Sequence, residues 1–162
     1  MRVVVATPED VDGWLHLARE VEVLFGPMVG RPEFNQALQR NLARATALCI
    51  RDANGPPGSP LLGGLLFSSQ HPHYVISWLV VTSKVRSQGN GKALVEEAIR
   101  RFVSYPCTLE LETFGPDHPG ARSRSFFERL GFHAVEDCPP GPDGGSRQRF
   151  RLWLAEAPAW LN

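Results

Sequence analysis

A glycine-containing turn in the middle of the chain has the composition of a phosphate-binding loop. It reads Arg-Ser-Gln-Gly-Asn-Gly-Lys, follows the β-branched stretch 74–82, and precedes apolar residues at helical spacing. A helix that begins at such a turn exposes unpaired backbone N–H groups, and the helix dipole adds partial positive charge there. The turn therefore predicts an anion site suited to a pyrophosphate, with basic side chains at its rim. Its residues are Arg86, Ser87, Gln88, Gly89, Asn90, Gly91 and Lys92.

Two other phosphate motifs do not account for this turn. A P-loop has a glycine where Arg86 stands and a serine or threonine where Ala93 stands. A dinucleotide-binding fingerprint needs a third glycine at the position of Leu94, and it normally lies in the first βα unit of a domain. Taken alone, the turn is also compatible with a plain helix start that binds nothing.

The hydrophobic pattern predicts the elements that position this turn. Strands are predicted at 3–5, 48–51, 61–69, 74–82, 108–114, 132–136 and 148–154. Helices are predicted from a cap at Thr7 to the Gly26-Pro27 stop, at 32–45, from the glycine turn to Phe102, and at 119–130. The order β-α-α-β-β-β-α-β-α-β-β favours an α/β (α+β) fold with helices on both faces of one sheet. The whole chain, 1–162, is interpreted as a single domain.

Composition argues against several functional classes. The chain carries 17 basic and 17 acidic side chains, and this balance argues against nucleic acid or an anionic membrane as a partner. No apolar run approaches the roughly 20 residues of a membrane span, and the N-terminus turns acidic too early for a signal peptide. Three cysteines are too few for a disulfide framework or a cysteine-based zinc site. We therefore expect a reduced, cytoplasmic protein that binds no metal, no membrane and no nucleic acid.

Two motifs, taken together, give a more specific prediction of what the turn binds. The stretch Leu79-Val80-Val81, followed by Arg86-x-x-Gly89-x-Gly91-Lys92, resembles the central acetyl-CoA motif of the GCN5-related N-acetyltransferase (GNAT) superfamily. The segment 125–132, Ser-Phe-Phe-Glu-Arg-Leu-Gly-Phe, resembles the second motif of that superfamily, which is usually close to F-Y-E-K-L-G-F. The element order is also that of the superfamily. The resemblance implies a mixed, mostly antiparallel sheet of about seven strands flanked by about four helices.

The resemblance also implies how acetyl-CoA is held. In the superfamily the strand at 79–81 bulges and splays from the strand at 108–114, and the pantetheine arm lies in the opening. The arm would pair with backbone groups of Leu79, Val80 and Val81, and the pyrophosphate with N–H groups of the turn 86–92. The helix that contains Ser125 and Phe127 would flank the other side of the cofactor. These residues and those of the turn form the predicted cofactor-binding set.

The implied reaction is direct transfer of an acetyl group from acetyl-CoA to a primary amine of a small molecule or a protein. Many relatives place a carboxylate base on or before the strand at 74–82, but this strand has no Asp or Glu. His73 lies thirteen residues before Arg86, where some relatives carry a glutamate, and an imidazole could accept the proton near neutral pH. The alternatives are that His71-Pro72-His73 is a solvated turn, or that a chain of waters removes the proton.

The usual acid of the second motif is missing. The superfamily often has a tyrosine at the position of Phe127, whose ring has no proton to donate. A positioned acid is worth about 10²–10⁴ in rate. The change therefore keeps open a second function, a GNAT-fold protein that senses acyl-CoA without chemistry. Since dimers are common in the superfamily, a homodimer is a further expectation.

The acceptor site is less determined by the sequence. Glu20 and Glu22 could attract an amine or could simply be solvated, and the apolar segment 25–30 could be a lid or a packing loop. His118 could reach the cofactor sulfur or only end a turn. Trp160 could dock on its own domain or on a partner subunit.

Overall fold

A single sheet of seven strands organises the computed structural model, which describes residues 1–161. The strands are β1 (Val3–Val5), β2 (Ala47–Arg51), β3 (Leu61–Gln70), β4 (His73–Val81), β5 (Cys107–Phe114), β6 (His133–Cys138) and β7 (Arg147–Leu154). Their spatial order is β1-β2-β3-β4-β5-β7-β6. All neighbouring strands are antiparallel except β4 and β5, which run parallel. The prediction of a mixed, mostly antiparallel sheet is confirmed.

Four helices flank the sheet in the predicted order. They are α1 (Val11–Phe25), α2 (Pro32–Arg44), α3 (Asn90–Phe102) and α4 (Ser123–Arg129). The predicted start of the last helix at Pro119 is wrong, because the chain forms tight turns there instead. The His118 N–H donates to the Gly115 carbonyl at 3.1 Å, and the Ala121 N–H donates to the His118 carbonyl at 3.0 Å. Within residues 1–161, no helix is long and apolar enough to cross a membrane.

Apolar stripes on the helices cover both faces of the sheet. A stripe on α3 is buried against one face, in a core shared with α4 (Leu94, Val95, Ala98 and Ile99). A stripe on α1 is buried against the opposite face, in a core shared with α2 (Trp14, Leu17, Ala18 and Val21). The second core draws its strand residues from β2, β3 and the end of β4, so α1 and α2 lie over that half of the sheet.

The same face of the sheet is polar where β5 and β7 form it. On β5, Thr108, Glu110 and Glu112 alternate with buried residues, as the two-residue period of a strand requires. Across the strand pair, the Arg151 Nη2 atom lies 2.7 Å from Glu110 Oε1, and the Arg149 Nε atom lies 3.7 Å from Glu110 Oε2. We call this side of the strand, which also carries Phe114, the outer face of β5.

A buried ion pair fixes the start of the first helical segment. Pro8–Asp10 form a short 3-10 turn before α1, and the Asp10 carboxylate accepts the Thr7 N–H at 2.9 Å, so the predicted cap is present. Asp10 also pairs with Arg51 on β2, whose Nη2 atom lies 2.7 Å from Asp10 Oδ2. Burial alone would raise the pKa of Asp10, but hydrogen bonds from Arg51, the Thr7 N–H and the Gly58 N–H lower it to about 2.

The C-terminal tail docks on its own domain. Trp160 donates its indole N–H to the Leu130 carbonyl at 3.1 Å, and its ring packs against the core beside α3 and α4. Of the two places left open for this tryptophan, the structure shows the first.

Candidate active site

The sheet opens between β4 and β5. These strands pair in parallel over three positions, His73 with Thr108, Tyr74 with Leu109 and Val75 with Glu110, and residues 76–81 of β4 pair with β3 only. One edge of β4 therefore presents N–H and C=O groups to a ligand instead of to a neighbouring strand. Leu79, Val80 and Val81 all lie on this open part of the strand, where the resemblance expected the pantetheine arm.

A bulge lies just before these residues. Trp78 pairs with Leu66 and Ile76 with Phe67, so Ser77 has no partner across the β3–β4 pair. The Ser77 hydroxyl donates to the Leu66 carbonyl at 3.2 Å. An extra residue of this kind bends and twists a strand locally, which directs β4 away from β5.

The glycine turn lies at the C-terminal end of the opening and begins α3. The first helical hydrogen bond runs from the Ala93 N–H to the Gly89 carbonyl at 3.0 Å. The N–H groups of Asn90, Gly91 and Lys92 therefore have no partner within the helix. Gly89 has a φ of +83°, and a Cβ added there would meet no atom within 4 Å. The turn is a helix N-terminus with open space above its backbone, which suits an anion.

Side chains of the turn have different roles in its shape. The buried Asn90 donates from Nδ2 to the Val85 carbonyl at 3.2 Å, which holds the turn closed. Arg86 donates from Nε to the Val81 carbonyl at 3.2 Å and so ties the turn to the end of β4. Lys92 lies 3.7 Å from Glu96 on the next helical turn. Ser87 and Gln88 are exposed.

Helix α4 contacts the turn through Phe126, which lies between Ser125 and Phe127, the two α4 residues predicted to bind the cofactor. A Cβ at Gly91 would lie 3.2 Å from Phe126 Cζ, so this ring lies against the turn. Phe127 is buried, with its ring centroid 5.9 Å from that of Phe132. The Ser125 hydroxyl donates back to the Arg122 carbonyl at 3.0 Å. Adjacent helical residues point about 100° apart, so Phe126 and Phe127 cannot both face the turn.

The candidate base His73 lies at the closed end of the opening. Its Nδ1 atom is 2.8 Å from the Thr108 hydroxyl, and its neighbour His71 lies 3.1 Å from the Tyr74 hydroxyl. His73 precedes Leu79 by six residues, about 20 Å of extended strand. The structure does not bring His73 together with the open part of β4.

The two glutamates of α1 are engaged by backbone or hydroxyl groups. Glu20 accepts the Thr82 hydroxyl at 2.8 Å and the Ser83 N–H at 3.1 Å, which ties α1 to the end of β4. Glu22 accepts the N–H groups of Met28 and Val29 at 2.6 and 3.1 Å. These two bonds lower the pKa of Glu22 and hold the connection between α1 and α2.

A cluster of five side chains joins the end of α1 to the loop between β6 and β7. We call it the clasp; it consists of Phe25, Phe114, His118, Asp143 and Arg147. The Phe25 and Phe114 ring centroids are 4.6 Å apart, the His118 ring stacks on Phe114 at 4.2 Å, and the Arg147 guanidinium lies 4.8 Å from the Phe114 centroid. The clasp borders the α1 side of the opening.

His118 is the centre of the clasp. Its Nδ1 atom accepts the Gly120 N–H at 2.8 Å, so the ring proton is assigned to Nε2, which lies 2.7 Å from Asp143 Oδ2. This bond from His118 is the main cause that lowers the pKa of Asp143 to about 2; the Gly145 N–H and Arg147 contribute further. His118 therefore fixes a turn and a loop, the second of the roles left open for it.

The opening and the turn together fit a ligand with a narrow polar arm and a diphosphate. The free edge of β4 offers backbone groups to the arm, and the start of α3 offers N–H groups to the phosphates. Among residues 1–161, no group of three or more His, Cys, Asp and Glu side chains is arranged to hold a metal ion.

Comparisons with known proteins show which family the chain resembles in sequence and in structure. A family model described as the acetyltransferase (GNAT) family matches residues 17–132. Ard1 from Thermoplasma volcanium is similar in structure, with a TM-score of 0.71 at 15% identity over 96% of this chain and 98% of that one. The ribosomal-protein-S18-alanine N-acetyltransferase from Escherichia coli has a TM-score of 0.66 at 18% identity over 99% and 98% of the two chains.

A structure with cofactor is also among the relatives. The PaiA N-acetyltransferase from Thermoplasma acidophilum, solved with coenzyme A, has a TM-score of 0.65 at 14% identity over 94% of this chain and 98% of that one. The comparison with curated proteins found no match. At these identities the structural relatives show the fold, whereas the family model spans most of the sequence. The chain therefore belongs to the acetyltransferase (GNAT) family, whose members transfer acyl groups from acyl-CoA donors.

Proposed function

We propose that this chain transfers an acetyl group from acetyl-CoA to the primary amine of a protein or a small molecule. The observation that carries the proposal is the opening between β4 and β5, which leads directly to the glycine turn at the start of α3. Bound acetyl-CoA supplies the acetyl group and the leaving thiol. The chain supplies binding, orientation and proton transfer.

The proposal assigns the cofactor site to two backbone segments. The free edge of Leu79, Val80 and Val81 binds the pantetheine arm, and residues 86–92 bind the pyrophosphate through N–H groups. Arg86 and Lys92 add positive charge at the rim. On α4, Phe126 is the side chain that flanks the site, and Phe127 supports it from the core.

The acceptor amine enters on the face that carries α1 and the clasp. Glu22 and the clasp hold the two segments that border this face, so its shape is preorganised. The Escherichia coli relative acts on an alanine of a ribosomal protein. We therefore propose the N-terminal amine of a protein or peptide as the first acceptor class to be tested, with small diamines as the second.

A second function is favoured by Phe127. This ring has no hydroxyl and is 8% exposed, so it can neither donate a proton nor reach the solvent side of the opening. A protein with this residue could bind acyl-CoA and signal its presence without turnover. The two functions share the cofactor site and differ in whether thiol is released.

One experiment separates these functions. The purified chain is titrated calorimetrically with acetyl-CoA, and thiol release is then followed with no acceptor, with a tetrapeptide that has a free N-terminal alanine, and with 1,4-diaminobutane. We expect saturable binding and thiol release that depends on the amine. Binding without release from any amine would favour the sensor, and no binding would overturn both functions.

A matched pair of glycine variants tests the cofactor site itself. Gly89 and Gly144 have φ values of +83° and +77°, and at both positions an added Cβ would meet no atom within 4 Å. Gly89→Ala and Gly144→Ala should therefore cost similar backbone strain, about 1–2 kcal/mol. Only the methyl group at position 89 would project over the turn, so we expect that variant alone to lose acetyl-CoA affinity, by at least tenfold. Equal affinities in the two folded variants would contradict the pyrophosphate assignment.

A further inference from the structure

The entrance for the acceptor is closed at one end by contacts that the chain makes with itself. At the C-terminal end of β5, the clasp joins the end of α1 to the loop between β6 and β7. A Cβ added at Gly26 would lie 2.9 Å from the backbone nitrogen of Asp143, so the two segments pack closely there as well. An acceptor held in the opening therefore cannot leave in this direction while the clasp is formed.

The connection between α1 and α2 closes the side toward β3. The Trp78 indole N–H donates to the sulfur of Met28 in this connection at 3.4 Å, and the ring centroids of Trp78 and Phe34 are 5.3 Å apart. Trp78 directly precedes Leu79, so these contacts lie at the border of the opening. The side that stays open leads across β5 to β7.

We call the surface on this open side the platform. It consists of six side chains that β5 and β7 direct to one face of the sheet as cross-strand pairs, namely Thr108 with Trp153, Glu110 with Arg151, and Glu112 with Arg149. All six are at least partly exposed. Helices α1 and α2 lie over the other half of this face, so the platform can receive a ligand.

One acid of the platform has no cation beside it. Glu110 lies close to both Arg149 and Arg151. In the part of the chain that the structure describes, no arginine, lysine or histidine forms an ion pair with Glu112. The parallel register pairs Val75 with Glu110, and two further residues along each strand bring Glu112 level with the bulge of β4. The platform therefore presents a negative charge beside the opening.

An exposed tryptophan lies at the far end of the platform. Trp153 is 65% exposed, and contact with such a ring can bury about 150–250 Å². Its partner Thr108 precedes Glu112 by four residues, which is about 13 Å along β5, and Trp153 lies one strand further across. An extended peptide rises about 3.3 Å per residue, so about four residues span the distance from the unpaired acid to the tryptophan.

We propose that the platform binds the segment that follows the acceptor amine, and that this segment is an extended, basic polypeptide N-terminus; this inference rests on the proposed function. The amine lies in the opening, an arginine or lysine directly after the first residue faces Glu112, and an apolar side chain about four residues further along packs on Trp153. A second copy of the chain would bring another platform with the same unpaired acid, whereas a basic segment supplies the missing cation.

Three acceptor peptides test the two contacts. The parent is Ala-Arg-Ser-Ser-Phe-Phe-Ser, in which arginine adds positive charge without a second amine, and one of the two adjacent phenylalanines faces the platform in either register. One relative carries glutamine in place of arginine, and the other carries serine in place of both phenylalanines. With the wild type, we expect kcat/KM for the parent to exceed that for each relative by about fivefold. The gain should come from a lower KM, because both contacts lie away from the reacting atoms.

Variants of the platform show where each gain arises. Trp153→Thr keeps a residue that favours strands and should abolish the gain from phenylalanine, whereas Glu112→Gln should abolish the gain from arginine. Each gain is a ratio of two peptides on one enzyme, so a general loss of activity cancels. Val23→Ala is the matched control, because Val23 is an apolar residue of α1 that is 85% exposed, and it should keep both gains.

The outcomes separate this inference from the function on which it rests. If the wild type releases thiol with all three peptides at equal kcat/KM, or if both gains persist in the platform variants, the platform does not bind the acceptor and the proposed function still stands. If no peptide and no diamine releases thiol, the proposed function fails first and the inference fails with it. Sedimentation of the wild type gives a further check: a dimer that dissociates in Trp153→Thr would mean that a second copy occupies the platform.

Discussion

Asp10 is a single residue on which the stability of the domain depends. Its carboxylate is fully buried and pairs with Arg51, which is itself 8% exposed. Asp10→Asn removes the negative charge and leaves the guanidinium buried without its counter-ion, a change that typically costs about 3–5 kcal/mol. We expect urea denaturation to show a loss in the free energy of unfolding of about that size.

The partner of Asp10 supplies the control. If the cost comes from the stranded cation, Arg51→Met in the Asp10→Asn background should recover part of the lost stability, because no buried charge then remains. A double variant less stable than Asp10→Asn would show that the cost has another source.

At the scale of elements, the clasp determines how firmly the loop between β6 and β7 is held. His118→Ala removes both the hydrogen bond to Asp143 and the ring stacked on Phe114. We expect the loop 139–146 to exchange its amide hydrogens faster and to be cut sooner by a protease, while the strands keep their protection. His133→Ala is the matched control, since His133 is an exposed histidine on β6. Equal exchange in the two variants would contradict a holding role for the clasp.

The elements also show what local sequence can and cannot predict. Apolar periodicity and cap residues predict all seven strands and four helices, because these signals act within a few residues. The start of α4 is missed since Gly120 packs against the Phe114 ring, a tertiary contact that keeps residues 115–122 in tight turns. Whether Phe126 or Phe127 faces the glycine turn depends on how α4 is rotated about its axis on the sheet. The sequence does not show this rotation, because the two neighbouring residues are both aromatic.

At the scale of the whole molecule, the missed features are long-range pairs. The motif predicts the glycine turn, but Asp10 meets Arg51 across 41 positions, and the bond between His73 and Thr108 spans 35. The outer face of β5 can be identified as polar from alternation alone. Which of its acids pairs with an arginine depends on the register between β5 and β7. This register is not known from the sequence alone.

The stability of the whole domain should fall in acid, because the fold stabilises the charged carboxylates of Asp10 and Asp143. Asp10 and Asp143 both have a pKa of about 2 in the fold, below the value of about 3.9 for an unfolded aspartate. Because the folded pKa is the lower one, each contribution is complete above the unfolded pKa and is lost as the pH falls toward 2. For the buried Asp10 a shift of this size corresponds to about 2 kcal/mol, whereas the exposed Asp143 contributes less because solvent screens its interactions.

We therefore expect the urea midpoint to be nearly constant from about pH 7 to about pH 5 and to drop steeply between about pH 4 and about pH 2. Asp143→Asn should make this acid slope shallower without removing it, because Asp10 still titrates in that variant. Glu110→Gln, which changes an acid on the outer face of β5, serves as the reference. An acid slope that is unchanged in Asp143→Asn would mean that the bond from His118 does not stabilise the charged carboxylate in solution.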